Sequence, residues 1–227
     1  MSRATLLLGA AVEDYLKSIY KLSLENERVT PKMVAAEQGV SLAAVSKMVK
    51  RLCEQKLVRY DRGEGIDLSP PGRKVALEIV RHHRLIEAYL CEALGYSWDE
   101  VDEEAEKLEH VISEEFEDRI DRLLGHPTHD PHGAPIPTKD GEVDHRDHPA
   151  LSEFDSGRVV VQRVNDHDPA MLRYLGDCGL YPGVSVDVLG EEPFGGPIHI
   201  RVAGEEISIG KELATHVFVE VAEEGKK

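Results

Sequence analysis

The sequence predicts an α+β fold in three parts: an N-terminal winged helix-turn-helix, an α-helical dimerisation domain and a small C-terminal β-barrel. Three patterns carry that expectation. Helix punctuation followed by a glycine-rich hairpin runs from Thr30 to Leu68, acid-rich helical periodicity fills Val75 to Leu124, and short β-branched runs separated by turn signals occupy Arg158 to Val221.

A first helix is expected over about Ala11 to Asn26, with Asp14 near its positive end. Thr30-Pro31 opens an amphipathic segment running through Gln38, Gly39 breaks it, and Ser41 starts a second whose Val45, Met48, Val49 and Leu52 keep helical spacing. Proline in the first turn and glycine at the break punctuate two short helices joined by a tight turn. Leu57-Val58-Arg59-Tyr60, the turn Arg62-Gly63-Glu64-Gly65 and Ile66-Asp67-Leu68 then read as a hairpin. Helix-turn-helix plus hairpin makes a winged helix. Its second helix, laid in a major groove, would present Ser41, Ala43, Ala44, Ser46, Lys47 and Lys50, with Arg51 near the DNA backbone and Arg62 on the wing. The competing reading is a packing unit with an ordinary basic surface.

Pro70-Pro71-Gly72-Arg73 reads as a break, after which Val75 to Gly95 predicts one long helix. Its apolar positions, Leu77, Ile79, Val80, Leu85, Ile86 and Leu90 among them, are too many for one narrow stripe, so this helix and a single Val101 to Leu124 helix are candidates for dimer contacts. Gly125 to Pro149, thick with Pro, Gly, His and Asp, predicts a linker rather than a packed element, its His126, His129, His145 and His148 solvated. Arg158 to Val164, Val184 to Leu189, Ile198 to Val202, Glu206 to Ile209 and Val217 to Val221 predict the strands of the barrel, with a short helix at Pro169 to Asp177.

The chain has 227 residues, enough to bury a core without disulfides, and Cys53, Cys91 and Cys178 make no CxxC pair. A reducing, cytoplasmic setting is expected. The apolar run Ala4 to Val12 is too short to span a membrane and ends at Glu13 and Asp14. A net charge of -16 argues against a nucleic-acid partner, but the average hides a split. Residues 1–75 hold 13 basic against 9 acidic side chains and residues 76–227 hold 14 against 34, a mildly basic head on an acidic body.

The most specific local motif is Glu106-Lys107-Leu108-Glu109-His110. At helical spacing Glu106, Glu109 and His110 stand at i, i+3 and i+4, two carboxylates and an imidazole on one face, which is half of a metal site. A solvated acidic face is the alternative. His83 and Glu87 at i, i+4 also suit an ordinary surface ion pair.

Through the winged helix, His83-Arg84-Leu85-Ile86-Glu87 and Glu106 to Ser113, and on to the C-terminus, the chain resembles the diphtheria toxin repressor family of metal-dependent transcription regulators. The resemblance implies a winged-helix domain at residues 1–73, a helical metal-binding and dimerisation domain at 74–125, a linker at 126–150 and an SH3-like, FeoA-type domain at 151–222. It implies a primary metal site of Asp14, Glu106, Glu109 and His110, and an ancillary site using His83 and Glu87, with Asp130 and His132 of the Asp130-Pro131-His132-Gly133 loop and Asp168 as further ligands. Asp168 equally suits a cap for the helix begun by Pro169. Iron-responsive members typically carry Met and Cys where Asp14 and Glu106 stand, so the resemblance implies Mn²⁺ as effector, with Fe²⁺ the alternative, and hard oxygen ligands agree with manganese. Lys17 stands where small two-domain manganese members have a carboxylate.

The expected function is that of a homodimeric repressor, not an enzyme, that binds an inverted-repeat operator in double-stranded DNA and controls metal-ion homeostasis genes. A metal-dependent hydrolase would use the same ligands but lacks any further nucleophile or oxyanion motif and leaves the winged helix unexplained. A metal-independent winged-helix regulator leaves the aligned ligands unexplained.

Overall fold

The computed structural model describes residues 8–144 and 146–222, so His145 and the start of the apolar run at 4–12 lie outside the described residues. The chain divides into two compact units. The first comprises residues up to His83 with Leu108–Ser113 and Pro137–Glu142, and the second Arg84–Lys107, Glu114–Ile136 and the residues from Val143 on. No described helix is long and apolar enough to cross a membrane.

In the first unit α1 (Ala10–Glu25) buries Val12, Tyr15, Leu16, Ile19 and Tyr20, one helical stripe. α2 (Pro31–Glu37) starts where Thr30 Oγ1 accepts from the Met33 amide, and α3 (Leu42–Glu54) where Ser41 Oγ accepts from the Ala44 amide. Between them Gly39 adopts φ +62°, the left-handed step that turns one helix into the next. The wing is an antiparallel pair, β1 (Val58–Asp61) and β2 (Gly65–Leu68), whose turn is closed by Asp61 Oδ1 accepting from the Gly63 amide at 2.6 Å.

α4 (Pro70–Leu94) corrects the predicted break. Pro70 and Pro71 fill the first turn, where no amide donor is needed, and Ser69 Oγ accepts from the Gly72 amide at 3.2 Å. A Cβ on Gly72 would lie 1.9 Å from the Leu57 carbonyl oxygen, so glycine lets α4 start directly against the base of the wing.

The expected single helix over Val101 to Leu124 is two: α5 (Val101–Leu108) and α6 (Glu114–Leu123). The Val111 amide closes a tight turn on the Leu108 carbonyl at 3.0 Å, and Glu114, Glu115 and Glu117 crowd the first turn of α6, where carboxylates favour a fresh helix start. Glu109 and His110 therefore sit in the turn between helices.

In the second unit the predicted linker is partly a packed element. His129 bridges to Pro135, the Asp130 amide bonds the Ala134 carbonyl, and Ile136 joins Leu85 and Ile120 in a small core. A five-stranded antiparallel sheet follows, in the order β6-β5-β4-β3-β7, from β3 (Gly157–Val164), β4 (Ser185–Glu191), β5 (Ile198–Val202), β6 (Glu205–Ile209) and β7 (Val217–Val221). Alternate residues of its strands, with Leu172 and Leu175 of α7 (Pro169–Asp177) and Trp98, form the core. The 130–136 loop is keyed to that sheet. The Val164 amide bonds the His132 carbonyl at 2.9 Å, and a Cβ on Gly133, at φ +87°, would lie 2.0 Å from the Gln162 carbonyl oxygen.

Candidate metal centres

The first unit gathers Asp14 from α1 with Glu109 and His110 from the turn after α5, one ligand atom from each lying within 4.8 Å of the others. His110 Nε2 stands 2.7 Å from Asp14 Oδ1 and 3.3 Å from Glu109 Oε1, so three donors face a common centre. Its other nitrogen, Nδ1, is 2.7 Å from Glu13 Oε2. A carboxylate on the far nitrogen fixes the ring and aims Nε2 inward, the arrangement found behind histidine metal ligands. Hydrogen bonds to Asp14 and then Glu13 push the His110 pKa up to about 10, so in the ion-free protein a proton sits where a cation would.

Glu109 is fully buried. Lys17 Nζ donates to both of its oxygens, at 2.7 and 2.8 Å, and His83 Nδ1 stands 2.6 Å from Oε2. Burial alone would raise the Glu109 pKa, but the His83 hydrogen bond and the Lys17 ammonium outweigh it and hold the carboxyl below its ordinary value. His82 Nδ1, 3.1 Å from the Glu109 carbonyl oxygen, fixes the backbone of the same residue.

A second cluster lies wholly in the second unit, where Glu87 of α4 meets Asp130 and His132 of the packed loop, all three buried. His132 Nε2 donates to the Trp98 carbonyl at 2.7 Å, which leaves Nδ1 facing Glu87 Oε1 at 3.7 Å. Asp130 Oδ1 accepts from the amides of His132 and Ala134, both at 2.9 Å, while Oδ2 is 3.5 Å from Arg84 Nε. Burial and then the Glu87 charge push the Asp130 pKa up to about 6. Burial would lower the His132 pKa, but Glu87, Asp130 and Asp166 outweigh it and raise it. The Trp98 ring stacks on His132 at 5.7 Å between centroids and meets Tyr181 at 4.6 Å.

Three domain models match along the chain: the iron dependent repressor N-terminal DNA binding domain at residues 7–66, the iron dependent repressor metal binding and dimerisation domain at 69–138, and the FeoA domain at 150–221. The iron-dependent repressor IdeR of Mycobacterium tuberculosis (strain H37Rv) is 34% identical over 92% of this chain and 96% of its own length. The chain belongs to the diphtheria toxin repressor family. A diphtheria toxin repressor of Corynebacterium glutamicum is 31% identical over 93% of this chain and 96% of its own. Among solved structures, a manganese-dependent transcriptional repressor in complex with manganese superposes with a TM-score of 0.85 at 39% identity, covering 93% of this chain and all of that one. ScaR with bound Zn²⁺ gives 0.77 at 37% identity, covering 93% and 99%. The family is one of metal-dependent, DNA-binding transcriptional repressors and not of enzymes.

Within this repressor fold, Ser41, Ala43, Ala44, Ser46, Lys47, Lys50, Arg51 and Arg62 are all exposed, seven at the start or on the outer face of α3 and the eighth at the tip of the wing. Other expectations are redistributed. His83 Nδ1 contacts Glu109 in the first unit, and Glu87 joins Asp130 and His132 in the second. Glu106 lies half-buried on α5 in the second unit. Asp168 is exposed and caps α7, its Oδ1 accepting from the Ala170 amide at 2.8 Å, whereas Asp166, two residues earlier, is the carboxylate whose charge reaches Asp130 and His132. Glu13, His82 and Asp166 escaped the sequence reading. For Glu13 the signal was present, an acid beside a candidate ligand; for the others no local pattern marks them.

Both clusters fit a divalent cation on their donor chemistry. Carboxylate oxygens and imidazole nitrogens, with no sulfur, suit a hard or borderline ion. In the second cluster Asp130 Oδ2 and His132 Nδ1 are buried and make no hydrogen bond among the described residues, a cost that a cation would remove.

Proposed function

We propose that this chain is a cytoplasmic, homodimeric, Mn²⁺-responsive repressor of metal-homeostasis genes that docks one α3 per half-site of an inverted-repeat operator. The observation that carries the metal choice is the sulfur-free donor set of Asp14, Glu109 and His110, and Glu106, a ligand by the family resemblance alone, is a carboxylate too. Glu87, Asp130 and His132 would hold a second ion, with Asp166 as its neighbour in place of Asp168. Fe²⁺ is the second reading, favoured by the iron-dependent names of the curated relatives.

A bound divalent ion supplies the charge that joins α1 to the 109–113 turn. The remaining steps belong to the chain. Glu13 holds the His110 ring so that Nε2 and Asp14 converge, and Asp14 carries α1 with it. Gln38, at the end of α2 beside the Gly39 turn, donates to Ser18 Oγ at 2.5 Å and to the Asp14 carbonyl at 3.4 Å. The residue that would ligate the ion is thereby hydrogen-bonded to the turn that aims α3. Fixing α1 narrows the orientations open to the recognition helix, biasing an existing equilibrium toward the DNA-binding arrangement.

The test is an anaerobic operator titration with Mn²⁺ and Fe²⁺ separately, repeated on Asp14→Met with Glu106→Cys. Activation by Mn²⁺ at lower concentration than Fe²⁺, with the order reversed in the double variant, is expected. An unchanged metal ranking would remove the donor set as its cause.

A further inference from the structure

The first cluster already contains a cation of its own. Lys17 lies on α1 one helical turn beyond Asp14, is 4% exposed, and spends its ammonium on both oxygens of Glu109. Lysine normally keeps its charged head in water by extending its stem, so burial on a carboxylate marks a paired charge. Glu109 Oε2 also has His83 at 2.6 Å and Oε1 has His110 at 3.3 Å, so both oxygens are engaged by protein groups. For a divalent ion to take Glu109 one of these must yield. His110 is held from behind by Glu13. His83 is a buried ring with two rotatable side-chain bonds, whereas Lys17, with four, is the group with the freedom to swing away.

We infer that Lys17 is a resident counter-ion of this cluster, holding Glu109 to α1 in the ion-free protein and giving it up to the incoming divalent ion, so that it sets the ion concentration needed for activation. This rests on the reading of Glu109 as a ligand. The electrostatic direction follows: Glu13, Asp14 and Glu109 supply three carboxylates, and removing the lysine charge leaves the pocket more attractive to a divalent cation. The ion-free fold loses the pairing of Glu109 at the same time, so ion binding and stability move in opposite directions.

Lys17→Met keeps the stem and deletes the charge. In equilibrium Mn²⁺ binding at pH 8, followed by the paramagnetic resonance of free ion, one class of sites should tighten at least tenfold, while the ion-free protein melts lower. Lys17→Arg, which keeps the charge, should not tighten binding. Unchanged or weaker binding in Lys17→Met would overturn the inference. Should Lys17→Met not fold, the native protein answers directly: with ¹⁵N-lysine label, the protected Lys17 ammonium signal, assigned by its absence in Lys17→Arg, should be lost as Zn²⁺ fills the cluster. Its persistence in the filled protein would equally overturn the idea. Glu109→Gln separates the two levels of argument. Wild-type Mn²⁺ binding in that variant removes Glu109 as a ligand and the inference with it, whereas lost binding there beside unchanged binding in Lys17→Met removes the inference alone.

Discussion

Replacing Glu109 by glutamine removes one charge and almost no volume from a fully buried position of the first unit. In the wild-type fold that carboxylate faces Lys17 at 2.7 Å and His83 at 2.6 Å with no solvent exposure. Breaking a buried ion pair from one side costs about 3–5 kcal/mol, because the remaining charge is stranded. For a chain of this size each kcal/mol moves the melting temperature by roughly 2–4 °C, so Glu109→Gln should melt about 6–20 °C lower in chelator at pH 7. The pH dependence gives a second, independent reading. The folded-state pKa of Glu109 lies below its ordinary value of 4.5, so its contribution is complete above that value and is lost as pH falls through the lower, folded one. The wild-type and variant melting curves should therefore converge in acid and stand furthest apart near neutrality. Circular dichroism melts across pH measure both. Equal melting temperatures at pH 7, or a gap that persists unchanged into acid, would refute the argument that Glu109 is a paired, ionised, stabilising group.

Three further outcomes are expected. Lys47→Ala with Arg62→Ala, both at exposed positions on α3 and the wing, should weaken operator binding and reduce the slope of log K against log salt by about 1.8, since each lost phosphate contact removes about 0.9 from it; an unaltered slope in a fluorescence-anisotropy salt series would count against this docking face. Gly133→Ala places a Cβ 2.0 Å from the Gln162 carbonyl oxygen at a φ of +87°, so the 130–136 loop must shift, and calorimetry should show loss of one class of metal sites while the other persists. Asp99→Asn deletes the 2.9 Å pair with Arg173 of α7. Hydrogen bonds from Ser97 and Arg173 outweigh burial and hold the Asp99 pKa below its ordinary value, so the variant should be less stable by roughly 0.2–1 kcal/mol above the carboxylate range and equal to wild type at lower pH, as read by urea denaturation.

Elements whose signals are local were legible in the sequence. Thr30 and Ser41 each cap the helix they precede, Gly39 takes the positive φ of the turn, and the β-branched runs of residues 157–221 became strands within a residue or two of their expected ends. The errors came where a local rule meets a distant partner. Pro70-Pro71 reads as a stop unless one knows that Gly72 must approach the Leu57 carbonyl, which makes those prolines a first turn. Glu109 and His110 look mid-helix, yet the acids that follow Ser113 restart the chain as α6 and leave the two ligand candidates in a turn. The pair His83 and Glu87, one turn apart on α4, meets groups far away in sequence, Glu109 in one case and Asp130 and His132 in the other. Spacing reveals which side chains share a face. It does not reveal what that face meets.

Trp98 is the only tryptophan in the chain, and its carbonyl and ring both engage His132. Its indole emission therefore comes from one position, stacked on a residue of the second cluster. A paramagnetic ion captured by Glu87, Asp130 and His132 would darken it. Recording that light during a titration would then follow the filling of this cluster, with no label attached and no residue changed.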